Sequence, residues 1–230
     1  MSQFYQQHNG EWLRYFSAAG IARSRRLPAG WSKPIRLLSP SDNAWDDHDL
    51  QIGCAFEYAG RFELFYSATR RHELGLIQRI GRAVGDGQYF SRIGDGLVLE
   101  LPQHGGHYDG LDVDSGQIQW LAHPWVEATG SGWHMLFAAR SEGQGCIGQA
   151  VSEDLTNWTL LAPLVRLNQG QPMAPHRVRG RCFFEWGGIV HYQSGNQVLS
   201  TGKSGRAIDT SQGICVMGDR GISAPLTLVD

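Results

Sequence analysis

One short phrase is written into this chain several times over: a glycine turn, an aromatic-rich apolar run, a second turn, and a run of the form Ile-Gly-x-Ala-Val. Gly60-Arg61-Phe62-Glu63-Leu64-Phe65-Tyr66-Ser67-Ala68, followed by Ile80-Gly81-Arg82-Ala83-Val84, is spelled again as Gly132-Trp133-His134-Met135-Leu136-Phe137-Ala138, followed by Ile147-Gly148-Gln149-Ala150-Val151. A fainter copy opens at Gly10-Glu11-Trp12-Leu13-Arg14-Tyr15-Phe16, and a further one at Gly180-Arg181-Cys182-Phe183-Phe184-Glu185-Trp186. The stretch Gln119 to Leu161 shows the unit most fully. Three apolar runs are separated by Gly130-Ser131-Gly132 and by Glu142-Gly143-Gln144-Gly145, and a polar turn through Ser152-Glu153-Asp154 leads to a fourth. Glycine supplies the positive φ that tight hairpins need, so each unit reads as a small antiparallel sheet. Strand-only units repeating every ~40–70 residues predict an all-β fold, a five-bladed β-propeller with blades of mostly four antiparallel strands.

The chain of 230 residues is long enough for one full core, and the expectation is a single domain over residues 1–230. A formal net charge of −2 gives no overall attraction to nucleic acid or anionic lipid, and Arg23-Ser24-Arg25-Arg26 reads as a solvated turn. No run approaches the ~20 apolar residues of a membrane span, and the polar start MSQFYQQHNG does not resemble a signal peptide. The expected setting is cytoplasmic, with a small molecule as partner and neither nucleic acid nor membrane. Cys54, Cys146, Cys182 and Cys215 stand singly in apolar surroundings and read as reduced core thiols.

Between Leu97 and Ile118 runs a long loop carrying His104, His107, Tyr108 and Asp109. Loops of that length in a compact domain tend to line a site. The acidic segment Trp45-Asp46-Asp47-His48-Asp49 leads into another apolar strand, and the register of the last forty residues is hard to fix.

With these pieces in view, a family resemblance emerges. AWDDHDLQIGCAFEYAGRFELFYSATRR, LIQRIGRAV and WHMLFAARSEGQGCIGQAVSEDLTNWTLL resemble the five-bladed propeller glycosidases of the levanase, invertase and arabinanase/xylosidase type. The likeness is good from Trp45 to about Leu164, loose on either side, and faint at the end. It implies three carboxylates at the inner ends of successive blades, because glycosidic cleavage needs a proton donor and an anionic partner around an oxocarbenium-like state. This chain departs from that pattern. His123 stands where an Arg-Asp-Pro aspartate is expected, no acid precedes Glu11, and the general-acid position falls near Met173.

What replaces the acids is titratable or aromatic. The inner-strand entrances are expected to present Asp47, His48 and Asp49, then His123 and Trp125, then Met173 and His176. Histidine titrates near neutrality and can give or take a proton, so His123, His176 and Asp47 are the candidate catalytic residues. Trp45, Asp49, His107, Tyr108, Asp109, Trp120, Trp125 and Met173 are the candidate ligand contacts, the aromatics because sugar C–H faces pack on rings. His123 and His176 with Asp47, Asp109 or His107 could also meet on zinc or iron, but no short fixed spacing supports this, and neither metal nor cofactor is expected.

The preferred expectation is a repurposed propeller that binds a small sugar-like or polyoxygenated molecule and performs histidine-assisted cyclisation, elimination, isomerisation or hydrolysis. Two alternatives stand beside it: a non-catalytic saccharide-binding pseudo-glycosidase, and a furanoside hydrolase whose carboxylates have moved.

Overall fold

A computed structural model describes residues 3–42, 44–73, 77–101, 119–141, 143–218 and 221–228. The first sheet holds β1 (Gln3–His8), β2 (Glu11–Ser17), β3 (Ile21–Leu27), the short β4 (Gly30–Trp31) and β5 (Ile35–Leu38). The second holds β6 (His48–Tyr58), β7 (Arg61–Thr69), β8 (Ile77–Gly85) and β9 (Phe90–Leu99), and β10 (Gln119–Trp120) joins it by pairing parallel with β8. The third is β11 (Ala122–Thr129), β12 (Gly132–Ser141), β13 (Gln144–Ser152) and β14 (Thr159–Arg166). The fourth is β15 (Met173–Val178), β16 (Arg181–Trp186), β17 (Ile189–Ser194) and β18 (Gln197–Ser200). β19 (Arg206–Thr210), β20 (Gly213–Gly218) and β21 (Gly221–Ile222) form a sheet of three strands among the described residues.

The first strands of these sheets meet in order, β1 on β6, β6 on β11, β11 on β15 and β15 on β19, and β19 returns to β1. The fold is therefore an all-β propeller with blades of four antiparallel strands; four such blades stand where five were expected, and β19–β21 form a smaller sheet of three strands among the described residues. One boundary also differs. The run from Trp120 to Ala128 reads as one strand, but Trp120 pairs with Gln78 of the preceding blade and Leu121 donates its amide to the Gln78 carbonyl at 3.3 Å. The chain hands over from one blade to the next at Leu121.

The repeated glycine has a steric cause. Tyr66 lies opposite Gly81 and Phe137 opposite Gly148 at matching cross-strand positions. A Cβ on Gly81 would stand 2.5 Å from the Tyr66 ring, and one on Gly148 would stand 2.2 Å from the Phe137 ring. Both aromatics are fully buried, so each ring fills the space that a side chain across the ladder would need. A buried ion pair within the second blade also reaches the third. Glu63 takes the Arg82 guanidinium at 2.8 and 3.1 Å, and Arg82 Nη1 donates to Thr156 Oγ1 at 3.0 Å. All four cysteines are free and buried; burial pushes the Cys54 and Cys182 thiols up to about 12, so neither is a nucleophile at neutral pH.

Replacing Gly148 by Ala should cost about 1–3 kcal/mol of unfolding free energy, the usual penalty for overpacking a filled core. Urea denaturation would check it, and a change within about 0.5 kcal/mol would mean that the Phe137 ring can move aside.

Candidate functional site

Three inner strands begin with the same irregularity. Between His48 and Gln51 on β6, Ala122 and Trp125 on β11, and Met173 and His176 on β15, one extra residue is inserted against the partner strand. In each case the second residue of the strand takes a positive φ: 48° at Asp49, 53° at His123 and 47° at Ala174. A bulge of this kind re-aims a side chain and bends the strand, and such bulges concentrate at barrel rims and beside sites. The register makes Asp49, His123 and Ala174 equivalent, so the position corresponding to His123 in the next blade is Ala174 rather than Met173. The residue two places on braces two of these bulges: Gln51 Nε2 donates to Asp49 Oδ2 at 2.8 Å, and His176 Nδ1 lies 2.9 Å from the Ala174 carbonyl.

A cavity of about 250 Å³ opens at the starts of β11, β15 and β19, lined by His123 and Met173 together with Tyr5, Glu185, Ser204 and Arg206. Of the sequence-predicted site residues, it gathers His123 and Met173. Glu185 stands directly opposite Met173 on β16 and supplies the carboxylate that the strand start lacks. Arg206 comes from the first position of β19. Neither was foreseen. A lone glutamate closing the apolar run Cys182-Phe183-Phe184 was the signal for the first, while Arg206 falls in the stretch whose register sequence left open.

His123 is 2 % exposed, and its amide is donated to Ser67 Oγ at 3.4 Å. Burial, and then the Arg206 charge, push its imidazole down to about 4, only partly offset by a hydrogen bond to the Ile52 backbone. The ring is neutral at physiological pH. His176 is equally buried but lines a second cavity on the other flank of Arg206, with Tyr5, Trp12 and Trp125. Its Nε2 lies 2.9 Å from the Ala207 carbonyl, so both ring nitrogens face backbone oxygens while a neutral imidazole can donate to only one. Protonation would satisfy both, yet burial and the Arg206 charge hold the group at about 3.

The remaining candidates lie elsewhere. Asp47 is buried and accepts the Arg71 amide at 2.6 Å, tying the strand entrance to the turn Arg71–Glu73. Its neighbour Asp46 is fully buried and takes the Tyr66 hydroxyl at 2.7 Å and Arg92 Nε at 2.5 Å, so this pair serves the blade. Trp45 stacks on Tyr66 at 5.8 Å and donates to the Asp95 carbonyl. Asp49 is exposed at its bulge. Trp120 sets its ring edge-on to His123 at 6.4 Å. Trp125 packs against Phe4 and His176 and carries the Arg206 guanidinium over its face at 5.3 Å. His107, Tyr108 and Asp109 lie outside the described residues. Among the described residues, no three His, Cys, Asp or Glu side chains come together as a metal site would require.

Comparison with known proteins adds a fold. No family model matches the chain, and no curated protein matches it. Solved structures do. A β-fructofuranosidase of family GH32 from Bombyx mori aligns at 11 % identity with a TM-score of 0.60, over 92 % of this chain and 52 % of its own. Sucrose-6-phosphate hydrolase from Lactobacillus gasseri aligns at 17 % identity and TM-score 0.56, over 82 % of this chain and 39 % of its own. A GH130-family structure, from a family of mannoside phosphorylases containing hydrolases of β-1,2 mannosidic linkages, gives 18 % identity and TM-score 0.52, over 78 % of this chain and 66 % of its own. This chain thus spans about two fifths to two thirds of the length of these structures. At such identities the likeness is one of fold: the chain is built on the propeller that these glycoside-active enzymes share.

Proposed function

We propose that the central cavity holds a small polyoxygenated or sugar-like molecule and acts on it by proton transfer, with His123 as base and Glu185 as its acidic counterpart. The observation that carries this reading is their convergence: side chains from neighbouring blades line one cavity at the centre of the ring. An imidazole that titrates at about 4 has the proton affinity of an ordinary carboxylate without its negative charge. It can take a proton at neutral pH, but it cannot stabilise an oxocarbenium ion. Arg206 on the same wall opposes a developing cation outright.

The balance therefore favours reactions that build negative charge, such as elimination, isomerisation or cyclisation after proton abstraction, over glycosidic hydrolysis. Hydrolysis by the usual route needs two flanking carboxylates, and Glu185 is the one that lines the cavity among the described residues. Met173 supplies apolar wall, Trp120 sets its ring edge against His123, His176 braces the Ala174 bulge, and Asp47 fixes the strand entrance. In this reading β19–β21 completes a ring of five blades on a glycosidase-type plan.

The 2 % exposure of His123 favours a second reading, saccharide binding without turnover. Incubation with aldoses, ketoses, sugar acids and aryl furanosides, followed by mass spectrometry and NMR, separates the two. The expected result is conversion by the unaltered protein, falling by about a hundredfold or more in His123→Asn and in Glu185→Gln. Unchanged turnover in His123→Asn would remove it as the base, binding without conversion would select the carrier reading, and sugar release from furanosides would select hydrolysis.

The pH dependence gives an independent check. With His123 as base, kcat/KM should rise through about pH 4 and stay level to neutrality, since the depressed group is already deprotonated there. An acid limb centred near ~6.5, the unperturbed histidine value, would contradict that assignment.

A further inference from the structure

Two buried arginines of this protein are treated in opposite ways. Arg82 is met by the Glu63 carboxylate through two hydrogen bonds. Arg206, 6 % exposed, has no carboxylate of the described residues within ion-pair distance. Its Nη1 makes a long 3.3 Å bond to the Gln3 carbonyl, and Nη2 is buried without a hydrogen-bond partner. The rest of its support is aromatic, the faces of Phe4 and Trp125, each 5.3 Å from the guanidinium carbon. An aromatic face favours a cation but offers no hydrogen-bond acceptor to replace water. Burial lowers the Arg206 pKa only to about 10, so the charge persists at neutral pH.

A buried charge with no counter-ion is among the costliest arrangements in a fold. This one lines the central cavity. It faces neutral His123 there, and Glu185, which shares the lining, is not within ion-pair contact. The cavity volume of about 250 Å³ suits a single ring-sized molecule.

We propose that the ligand of the central cavity carries an anionic oxygen group, a carboxylate or a phosphate, that docks on Arg206 and becomes its missing counter-ion. The planar guanidinium is the side chain best matched to such groups, because it can present two N–H donors at once. This inference rests on the cavity being the ligand site and narrows the substrate class to sugar acids, sugar phosphates and molecules of like chemistry. It also gives the anion a task, since a fixed negative group beside Arg206 orients the rest of the molecule toward His123 and Glu185.

Calorimetric titration at low salt with D-glucuronate, D-glucose 6-phosphate and D-glucose tests it, using the unaltered protein, Arg206→Met and Arg206→Lys. One anionic probe or both should bind the unaltered protein at least about tenfold more tightly than glucose, the effect of one charge-assisted contact. Which of the two is preferred identifies the group. Arg206→Met should lose that preference while its unfolding temperature holds or rises, because an unpaired buried charge has been removed. Should the Met variant fail to fold, Arg206→Lys keeps the charge without the fork and should retain part of the preference. Anions binding no better than glucose, no binding by any probe, or a preference that survives Arg206→Met would each overturn the inference. Glucose binding without anion preference leaves the proton-transfer reading intact. Conversely, Arg206-dependent anion binding with full turnover in His123→Asn removes that reading and leaves the anion site standing.

Discussion

The centre of this propeller depends on a buried positive charge, Arg206, that has no carboxylate of the described residues within ion-pair distance. Arg206 sits where the first and last sheets meet, set against the rings of Phe4 and Trp125, and the groups around it respond to its field. His123 on one flank and His176 on the other are both driven to the neutral form, first by loss of water and then by this cation. A glycosidase of the same shape needs the reverse polarity, anionic side chains around a developing carbocation. The scaffold and the charge at its centre are separate matters, and the proposed chemistry rests on the second.

The scaffold follows from packing. Sheets that radiate from a centre crowd their first strands, and two local devices relieve the crowding. At Gly53 the absent side chain admits Pro124 of the next blade, whose carbonyl oxygen would lie 2.1 Å from a Cβ there. At the strand starts, the recurring bulge turns Asp49, His123 and Ala174 into left-handed backbone and changes where their side chains can point. With only a methyl group at Ala174, Glu185 of the adjacent strand is the residue that brings a carboxylate to the same wall.

Much of this was legible in the sequence, for a physical reason. Alternating apolar runs and turn glycines are local signals, and the Ile-Gly-x-Ala-Val phrase repeats because Tyr66 and Phe137 each need a bare backbone opposite. His123 and Met173, expected at strand entrances, do stand at the starts of β11 and β15 and line the cavity. The site as a whole was less legible. Bulges shift register by one residue, which moved the equivalence from Met173 to Ala174. Glu185 acts from the second strand of its blade, and its importance appears only when the Met173 pairing is known. Arg206 lies in the segment where the repeat is weakest, and nothing local separates it from a surface arginine. Aromatic content is ambiguous in its own way: Trp45 packs on Tyr66 and Trp125 carries the Arg206 guanidinium, contacts that composition does not distinguish from sugar stacking.

Histidine ring titration followed by heteronuclear NMR measures most directly whether burial and the Arg206 charge hold both central imidazoles neutral. The His123 ring should remain neutral through pH 5 and titrate at about 4, with His176 lower still, at about 3. Midpoints for both near the free-histidine value of ~6.5 would mean that water reaches the centre and screens Arg206, and would contradict a site governed by that charge.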